Sequence, residues 1–140
     1  MRKILFVCHG NICRSPMAEF ILKDRIRKYK LDIYTESRAV SNEEYMNDIY
    51  PPAKRILDKY SIAYDRHYAK RISQQDYKDY DEIYVMDESN MYYIKRLIDD
   101  SDNKIKLLNG QIEDPWYTGR YDAVYKQIEE GIDNLIKDYI

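Results

Sequence analysis

Residues 7–20 read VCHGNICRSPMAEF, and this stretch joins a predicted β-strand to a predicted α-helix. The run from Lys3 to Val7, which leads into it, is short, β-branched and aromatic, as is typical of a strand buried on both faces. Ser15-Pro16 has the composition of a helix start, because serine caps helices well and proline suits the first turn. The sequence therefore predicts a tight loop between a buried strand and a helix N-terminus.

Strands and helices continue to alternate beyond this loop. Pro51-Pro52 predicts the start of a second helix, and Ser89 is expected to cap a third that ends near Ile98. Apolar residues at helical spacing predict a last helix from about Tyr121 to about Tyr139. Further strands are predicted around Asp32 to Ser37, Asp81 to Met86 and Ile105 to Leu108.

This alternation predicts an α/β fold in which helices cover both faces of a parallel sheet, a three-layer α-β-α sandwich. In such sheets, ligands bind beyond the carboxyl ends of the strands. The two longest irregular stretches, Val40 to Tyr50 and Asn109 to Arg120, are therefore expected to carry functional residues.

Composition limits the possible classes of protein. A length of 140 residues suits a single domain, expected here over residues 1–140. The net charge of -2 predicts no strong attraction to nucleic acid or to an anionic membrane. The N-terminal apolar run is too short for a signal peptide, and no stretch is long enough to span a membrane. Two cysteines five positions apart form no secreted disulfide framework, so we expect a cytoplasmic protein, with a monomer favoured.

The loop from Cys8 to Ser15 has the features of an anion site. A loop that enters a helix N-terminus directs several backbone N–H groups and the positive end of the helix dipole at one point. Gly10 and Asn11 tolerate the positive φ angles that such a loop needs. A cysteine at the centre of this loop is favoured as a thiolate, which makes Cys8 a candidate nucleophile toward phosphorus.

Arg14 follows Cys8 by six positions and is placed to reach back across the loop. Its planar guanidinium can hold two phosphate oxygens at once, which lysine cannot do. Ser15 has two compatible interpretations: it caps the helix, or it donates a hydrogen bond to the sulfur of Cys8. The sequence therefore predicts a phosphate-binding loop at the first strand–helix junction.

A metal site is a poorer interpretation of the same residues. Structural zinc needs four ligands, and the only histidine or cysteine besides Cys8, His9 and Cys13 is His67. We therefore predict no metal and no cofactor.

The stretch from Val7 to Phe20 resembles the low-molecular-weight protein tyrosine phosphatase family. The resemblance continues at MDESN, residues 86–90, and at DPWY, residues 114–117, in the order that the family keeps. It implies a four-stranded parallel sheet flanked by helices and the hydrolysis of phosphotyrosine or aryl phosphates through a phosphocysteine intermediate. The expected partner is a phosphotyrosine-containing protein or a small aryl phosphate.

The resemblance also implies roles for particular residues. Cys8 is the nucleophile, Arg14 binds the phosphate, Ser15 supports the thiolate, Asn11 holds the strained shape of the loop, and His67 supports the loop through Asn11. The other loop residues expected to contact the phosphate group are His9, Gly10, Ile12 and Cys13.

Asp114 is expected to be the general acid that protonates the leaving phenolate. Pro115 holds Asp114 in an extended conformation, and Trp116 and Tyr117 offer aromatic walls for the substrate ring. Asp87 resembles the family's second acidic site residue. Alternatively, one residue among Asp87, Glu88 and Ser89 only caps the next helix.

Some alternatives stay open from the sequence. Cys13 is either a buried apolar residue or a partner that traps oxidised Cys8 as a disulfide. A protein-arginine phosphatase is the nearest alternative enzyme, although apolar Ile12 suits an aromatic leaving group better than a guanidinium. A module that binds phosphate or phosphopeptide without turnover is the non-enzyme alternative. Glu43, Glu44 and Tyr45 lie in a loop where some family members have tryptophan, and the acidic residues are expected to disfavour acidic peptides and to favour basic or small substrates.

Overall fold

A computed structural model describes residues 1–140 and contains one four-stranded sheet. All neighbouring strands run parallel, in the order β2-β1-β3-β4. The predicted parallel sheet is therefore confirmed. The strands are β1 (Arg2–Cys8), β2 (Ile33–Ala39), β3 (Glu82–Val85) and β4 (Ile105–Leu107).

Helices cover both faces of the sheet. The helices are α1 (Arg14–Tyr29), α2 (Pro51–Lys59), α3 (Gln74–Asp79), α4 (Glu88–Leu97), α5 (Pro115–Thr118) and α6 (Tyr121–Leu135), with a short 3₁₀ turn at Lys137–Tyr139. None of these helices is long and apolar enough to cross a bilayer.

Strand β1 divides the core in two because its side chains alternate between the faces. Ile4 and Phe6 point into the larger cluster, which also contains residues of α1, α2 and α6. Leu5 and Val7 point into the smaller cluster, with Ile94 of α4. All four β1 side chains are fully buried, so β1 is the central strand of a three-layer sandwich.

The strand order places the first loop at a favoured position for a ligand. β1 pairs with β2 on one side and with β3 on the other. The chain thus leaves β1 at the point where the strand order reverses, and crevices form beyond the carboxyl ends of strands at such points. The loop after Cys8 opens into this crevice.

Several local predictions need correction. Asp87, not Ser89, caps α4: its Oδ1 accepts from the backbone N–H of Asn90 at 2.7 Å. The last helix ends at Leu135, before the 3₁₀ turn. β2 extends to Ala39, two residues beyond the prediction, because it pairs with β1 along its whole length.

Two short helices were not predicted. The α3 helix has a capping box in which Ser73 accepts from the N–H of Asp76 and Asp76 accepts from the N–H of Ser73. The motif is visible in the sequence, but the helix has only six residues, too few to show apolar periodicity. The α5 helix has four residues and lies inside the predicted irregular stretch before Arg120.

Gly131 of α6 allows this helix to pack closely on the sheet, which generates a stability prediction. A Cβ at this position would lie 2.8 Å from Leu108 Cγ and 3.2 Å from the Leu108 carbonyl oxygen. In a free helix, Gly→Ala stabilises by about 1 kcal/mol, but overpacking costs about 1–3 kcal/mol. We expect Gly131→Ala to lower the free energy of unfolding in urea, while exposed Glu130→Ala changes it by less than about 0.5 kcal/mol. A Gly131→Ala protein as stable as the parent would contradict this packing argument.

Candidate active site

Cys8 is the last residue of β1 and lies at the centre of the first loop. Its side chain is buried, and its sulfur lies 3.0 Å from Ser15 Oγ and 3.4 Å from the backbone nitrogen of Ser15. Arg14, the first residue of α1, closes the loop. The sulfur therefore faces the N-terminus of a 16-residue helix, where the helix dipole stabilises a negative charge.

Asn11 holds the shape of the loop. Its φ angle is 62°, in the left-handed region, and its side chain is fully buried. The amide nitrogen donates to Ser15 Oγ at 2.8 Å and to Ser37 Oγ at 2.9 Å. The side-chain oxygen accepts from the backbone N–H of Lys70 at 3.2 Å, and the backbone oxygen lies 2.8 Å from His67 Nε2. The contact expected between His67 and the loop is thus present.

Ser15 does not cap α1, contrary to one of its two predicted roles. No side chain caps this helix, and its N-cap residue is Cys13. The Ser15 oxygen accepts from Asn11, which leaves its hydrogen free to donate. Cys8 Sγ at 3.0 Å is a closer acceptor than the Arg38 carbonyl oxygen at 3.3 Å. The hydroxyl is therefore placed to stabilise a thiolate.

A second buried contact extends this network toward the surface, and the sequence prediction missed it. Ser37 donates to Glu19 Oε1 at 2.6 Å while it accepts from Asn11. Lys23 Nζ donates to the other Glu19 oxygen at 2.6 Å. Glu19 thereby fixes the direction of the Ser37 hydroxyl, and so the direction of the Asn11 amide.

Gly10 differs from the prediction. It does not have a positive φ angle; among the loop residues only Asn11 does. A Cβ at Gly10 would lie 3.3 Å from Glu44 Cγ, so a larger residue there would require the Glu44 side chain to shift slightly. The loop around Cys8 therefore lies directly against the segment that follows β2.

Arg14 is buried, and carboxylates orient it. Its Nη1 donates to Asp87 Oδ2 at 2.7 Å and to the Ile112 carbonyl oxygen at 2.9 Å, while Nη2 lies 3.4 Å from Asp114 Oδ2. Burial alone would lower the pKa of Arg14, but the negative charges of Cys8 and Asp87 raise it. Asp87 thus caps α4 through one oxygen, as one of the alternatives predicted, and holds Arg14 through the other; its role as a second acidic site residue stays a prediction.

Asp114 lies on the loop after β4, at the N-terminus of α5. Its backbone is extended, as Pro115 predicts, and its Oδ1 accepts from the Trp116 N–H at 3.0 Å. The neighbouring Glu113 accepts two hydrogen bonds from Arg120, at 2.9 and 2.7 Å. These bonds lower the pKa of Glu113 to about 2, so it stays a carboxylate and cannot supply a proton near neutral pH. Two carboxyl groups lie beside Arg14: Asp87, which also caps α4, and Asp114, whose Oδ2 is 3.4 Å from the guanidinium.

The predicted site residues surround one cleft of about 590 Å³. Asn11, Ser15 and His67 lie behind the wall of the cleft and support it. The predicted residues that line it are Cys8, His9, Gly10, Ile12, Cys13, Arg14, Asp87, Asp114, Trp116 and Tyr117.

Both long irregular stretches contribute to the mouth of the cleft, as expected. Trp116 is half-exposed, Tyr117 is strongly exposed, and Tyr50 packs against Trp116 with ring centroids 4.9 Å apart. Tyr93 of α4 also lines the cleft, with its ring edge-on to His9 at 6.1 Å. The sequence prediction missed Tyr93, although its position one turn after Asn90 places it on the same side of α4.

Cys13 is the second thiol of the loop. Burial raises its pKa to about 12, so it is a neutral thiol when Cys8 is charged. Its sulfur lies 3.9 Å from the Tyr121 hydroxyl, and neither cysteine is in a disulfide. No group of three or more metal-binding side chains is present. A disulfide of Cys13 with oxidised Cys8 stays a prediction.

Comparison with known proteins identifies relatives across the whole chain. The family model for the low molecular weight phosphotyrosine protein phosphatase matches residues 3–139. The low molecular weight protein-tyrosine-phosphatase PtpA of Staphylococcus epidermidis is 35% identical, over 100% of this chain and 94% of its own.

Solved structures of relatives superpose closely. The crystal structure of YfkJ from Bacillus subtilis has a TM-score of 0.94 at 32% identity, covering 99% of this chain and 94% of that one. The low molecular weight protein tyrosine phosphatase of Streptococcus pyogenes has a TM-score of 0.90 at 36% identity, covering 100% and 94%.

The burial of His67 generates a prediction on pH. Burial lowers its pKa, with Glu19 and Asp48 acting in the opposite direction and Lys23 adding to the decrease. In the unfolded chain the pKa of His67 is near 6.5, whereas in the folded protein it is lower. The stability that neutral His67 contributes is therefore complete above pH 6.5 and decreases as the pH falls toward its lower folded pKa. Between about pH 7.5 and 5.5 we expect a loss of up to about 1.4 kcal/mol in the free energy of unfolding.

Urea unfolding at the two pH values measures this loss. The change His67→Gln keeps a side-chain N–H donor for the Asn11 carbonyl and removes the titration, so its stability should vary less. The matched control is His9→Gln, at a half-exposed histidine, which should keep the parent's dependence on pH. A His67→Gln protein with the parent's full dependence would show that another group is responsible.

Proposed function

Since the chain belongs to the low molecular weight phosphotyrosine protein phosphatase family, we propose that Cys8, Arg14 and Asp114 carry out its reaction in the cleft described above. The family relationship makes the chain a protein-tyrosine-phosphatase, a hydrolase of phosphoric monoesters that acts through a phosphocysteine. One observation above all supports the assignment of residues. The sulfur of Cys8, the guanidinium of Arg14 and the carboxyl group of Asp114 meet at one helix N-terminus.

In the first step, the Cys8 thiolate attacks the phosphorus of phosphotyrosine. A sulfur–phosphorus bond forms, and the bond from phosphorus to the tyrosine oxygen breaks, with its electron pair leaving on that oxygen. Asp114, in its acid form, donates a proton to the oxygen as it leaves. The products are tyrosine, the phosphocysteine and the Asp114 carboxylate.

In the second step, water attacks the phosphocysteine. The Asp114 carboxylate takes a proton from the water, and the sulfur–phosphorus bond breaks to give inorganic phosphate and the Cys8 thiolate. Ser15 Oγ, 3.0 Å from the sulfur, donates to the thiolate as it forms and makes it a better leaving group. Asp114 returns to its acid form for the next cycle.

Arg14 supplies the positive charge for the transferred phosphoryl group. Charge in this transition state lies on three equatorial oxygens, which positioned donors stabilise without reorganisation. The contacts with Asp87 and Ile112 support this role, because they fix the guanidinium before substrate binds. The backbone N–H groups of the loop between Cys8 and Arg14 supply the remaining donors.

The walls of the cleft favour an aryl ester. Ile12 is an apolar residue at the base, packed with Cys13, and Trp116 and Tyr117 give the mouth aromatic surfaces. This lining suits a phenyl ring better than the polar guanidinium of phosphoarginine. A phosphotyrosine-containing protein is therefore the proposed substrate, with small aryl phosphates as further substrates.

We also propose that residues 1–140 form a single domain that acts as a monomer in the cytoplasm. Two features support the single domain: the family match extends from residue 3 to residue 139, and both large clusters of the core pack on one sheet. The free thiols of Cys8 and Cys13 support a reducing compartment such as the cytoplasm.

Two substitutions test the mechanism. Cys8→Ser should abolish release of phosphate from p-nitrophenyl phosphate, because the hydroxyl is a far weaker nucleophile. Asp114→Asn should lower kcat/KM, which reports the first step, by about 10²–10³ on phenyl phosphate, whose leaving oxygen needs a proton, and by less on p-nitrophenyl phosphate. Asp138→Asn, an exposed carboxylate far along the chain, is the matched control.

The unequal effect on the two esters is the signature of a general acid, and a merely structural role for Asp114 would slow both equally. Turnover that survives Cys8→Ser would overturn the assignment of the nucleophile. A parent protein that binds phosphate but releases none from either ester would favour a binding module instead.

A further inference from the structure

The cleft is strongly acidic for a site that must bind a phosphate dianion. Its lining contains one arginine, Arg14, and five carboxylates. Two of these carboxylates lie against Arg14, and a third is paired with Arg120 outside the lining. The carboxylates that remain, with no lysine or arginine partner, are Glu43 and Glu44.

Glu44 is fixed in place at the edge of the cleft. Asn47 Nδ2 donates to its Oε2 at 2.6 Å, and its Cγ would lie 3.3 Å from a Cβ at Gly10. No salt bridge in the structure includes Glu44. Its negative charge is therefore held beside the phosphate-binding loop with no cation to balance it.

Glu43 is the more accessible of the two. Its side chain is 73% exposed, and the nearest basic nitrogen is His9 Nε2 at 3.4 Å, which is longer than a good hydrogen bond. The segment that carries it is attached to the loop, because the backbone N–H groups of Val40 and Ser41 donate to the His9 carbonyl oxygen. The carboxylate is thus held at the mouth but is free to pair with an arriving cation.

From these positions we infer that Glu43 and Glu44, here named the acidic rim, select phosphotyrosine residues that have lysine or arginine beside them in the substrate chain. This inference rests on the proposed phosphatase function and specifies its substrate class. The cleft of about 590 Å³ is larger than one phenyl ring requires, so side chains that flank the phosphotyrosine lie at its mouth.

Charge complementarity gives the size of the effect. Two unit charges about 7 Å apart in water change an equilibrium about threefold, and salt removes most of this change. A flanking arginine gains this factor from each rim carboxylate, whereas a flanking glutamate loses it. Selection by the rim therefore acts mostly on kcat/KM, and only at low or moderate salt.

Three peptides test the inference. They share one sequence around a phosphotyrosine, and the two flanking residues are both arginine, both glutamine or both glutamate. For the parent protein at about 10 mM salt, we expect kcat/KM to be at least about tenfold higher for the arginine peptide than for the glutamate peptide. At about 1 M salt, where the screening length is about 3 Å, the two values should agree within about twofold.

Variants assign the effect to the rim. Glu43→Gln and Glu44→Gln should each reduce the ratio of the two kcat/KM values about threefold or more, and Glu43→Lys should reduce it further. Glu130→Gln removes the same charge from an exposed position on α6 and should leave the ratio unchanged. If Glu44→Gln disturbs the loop at Gly10, the ratio measured for the Glu43→Gln protein still tests the inference, because Glu43 is exposed.

The failures of the two proposals are distinguishable. Equal turnover of all three peptides at low salt would overturn the selection by charge and leave the phosphatase function intact. A ratio that persists both in the Glu43→Gln protein and in a protein with Glu43→Gln and Glu44→Gln together would show that other charges select the substrate. If the parent hydrolyses none of the peptides and neither aryl phosphate, the proposed function itself fails.

Discussion

The left-handed backbone of Asn11 is the constraint on which the site depends. A residue with a Cβ has a φ angle of 62° only at a cost, which is smallest for asparagine and aspartate. Four partners repay this cost here: two serine oxygens, a backbone N–H and His67. Because these partners come from α1, β2 and the segment before α3, the shape of the loop depends on α1, on the sheet and on that segment together.

The second constraint is charge. Arg14 is almost fully buried, and an unpaired guanidinium in that position would be strongly destabilising. Asp87 compensates it at 2.7 Å and also caps α4, so one side chain connects the phosphate clamp to the second layer of helices. Asp114 approaches the same guanidinium from the loop after β4, at 3.4 Å. The net charge near the substrate phosphate is therefore the sum of the positive charge of Arg14 and the negative charges of Asp87 and Asp114.

The sequence predicts most of the framework, and the reasons for its failures are physical. The strands and long helices have clear periodicity, and the spacing of Cys8 and Arg14 locates the anion site, whose residues do converge. The role of Ser15 was ambiguous in the sequence, because a serine can cap a helix or donate to a thiolate. In the structure Ser15 does not cap α1, and its oxygen accepts from Asn11, which leaves the hydroxyl hydrogen free to donate. Glu19 and Tyr93 were missed because their partners are distant in sequence and come near only in the folded chain.

The difference between the centre and the rim of the site follows from how their residues are held. Asn11 has several buried partners, so a substitution there breaks several contacts at once and disturbs the loop around Cys8. Glu43 has one long contact with His9 and is largely exposed, so changing it alters the charge of the mouth with little effect on packing. Selection of the substrate can therefore vary while the chemistry stays fixed. The fixed geometry around Asn11 maintains the loop around Cys8, and the exposed carboxylate of Glu43 sets the charge at the mouth with little effect on that loop.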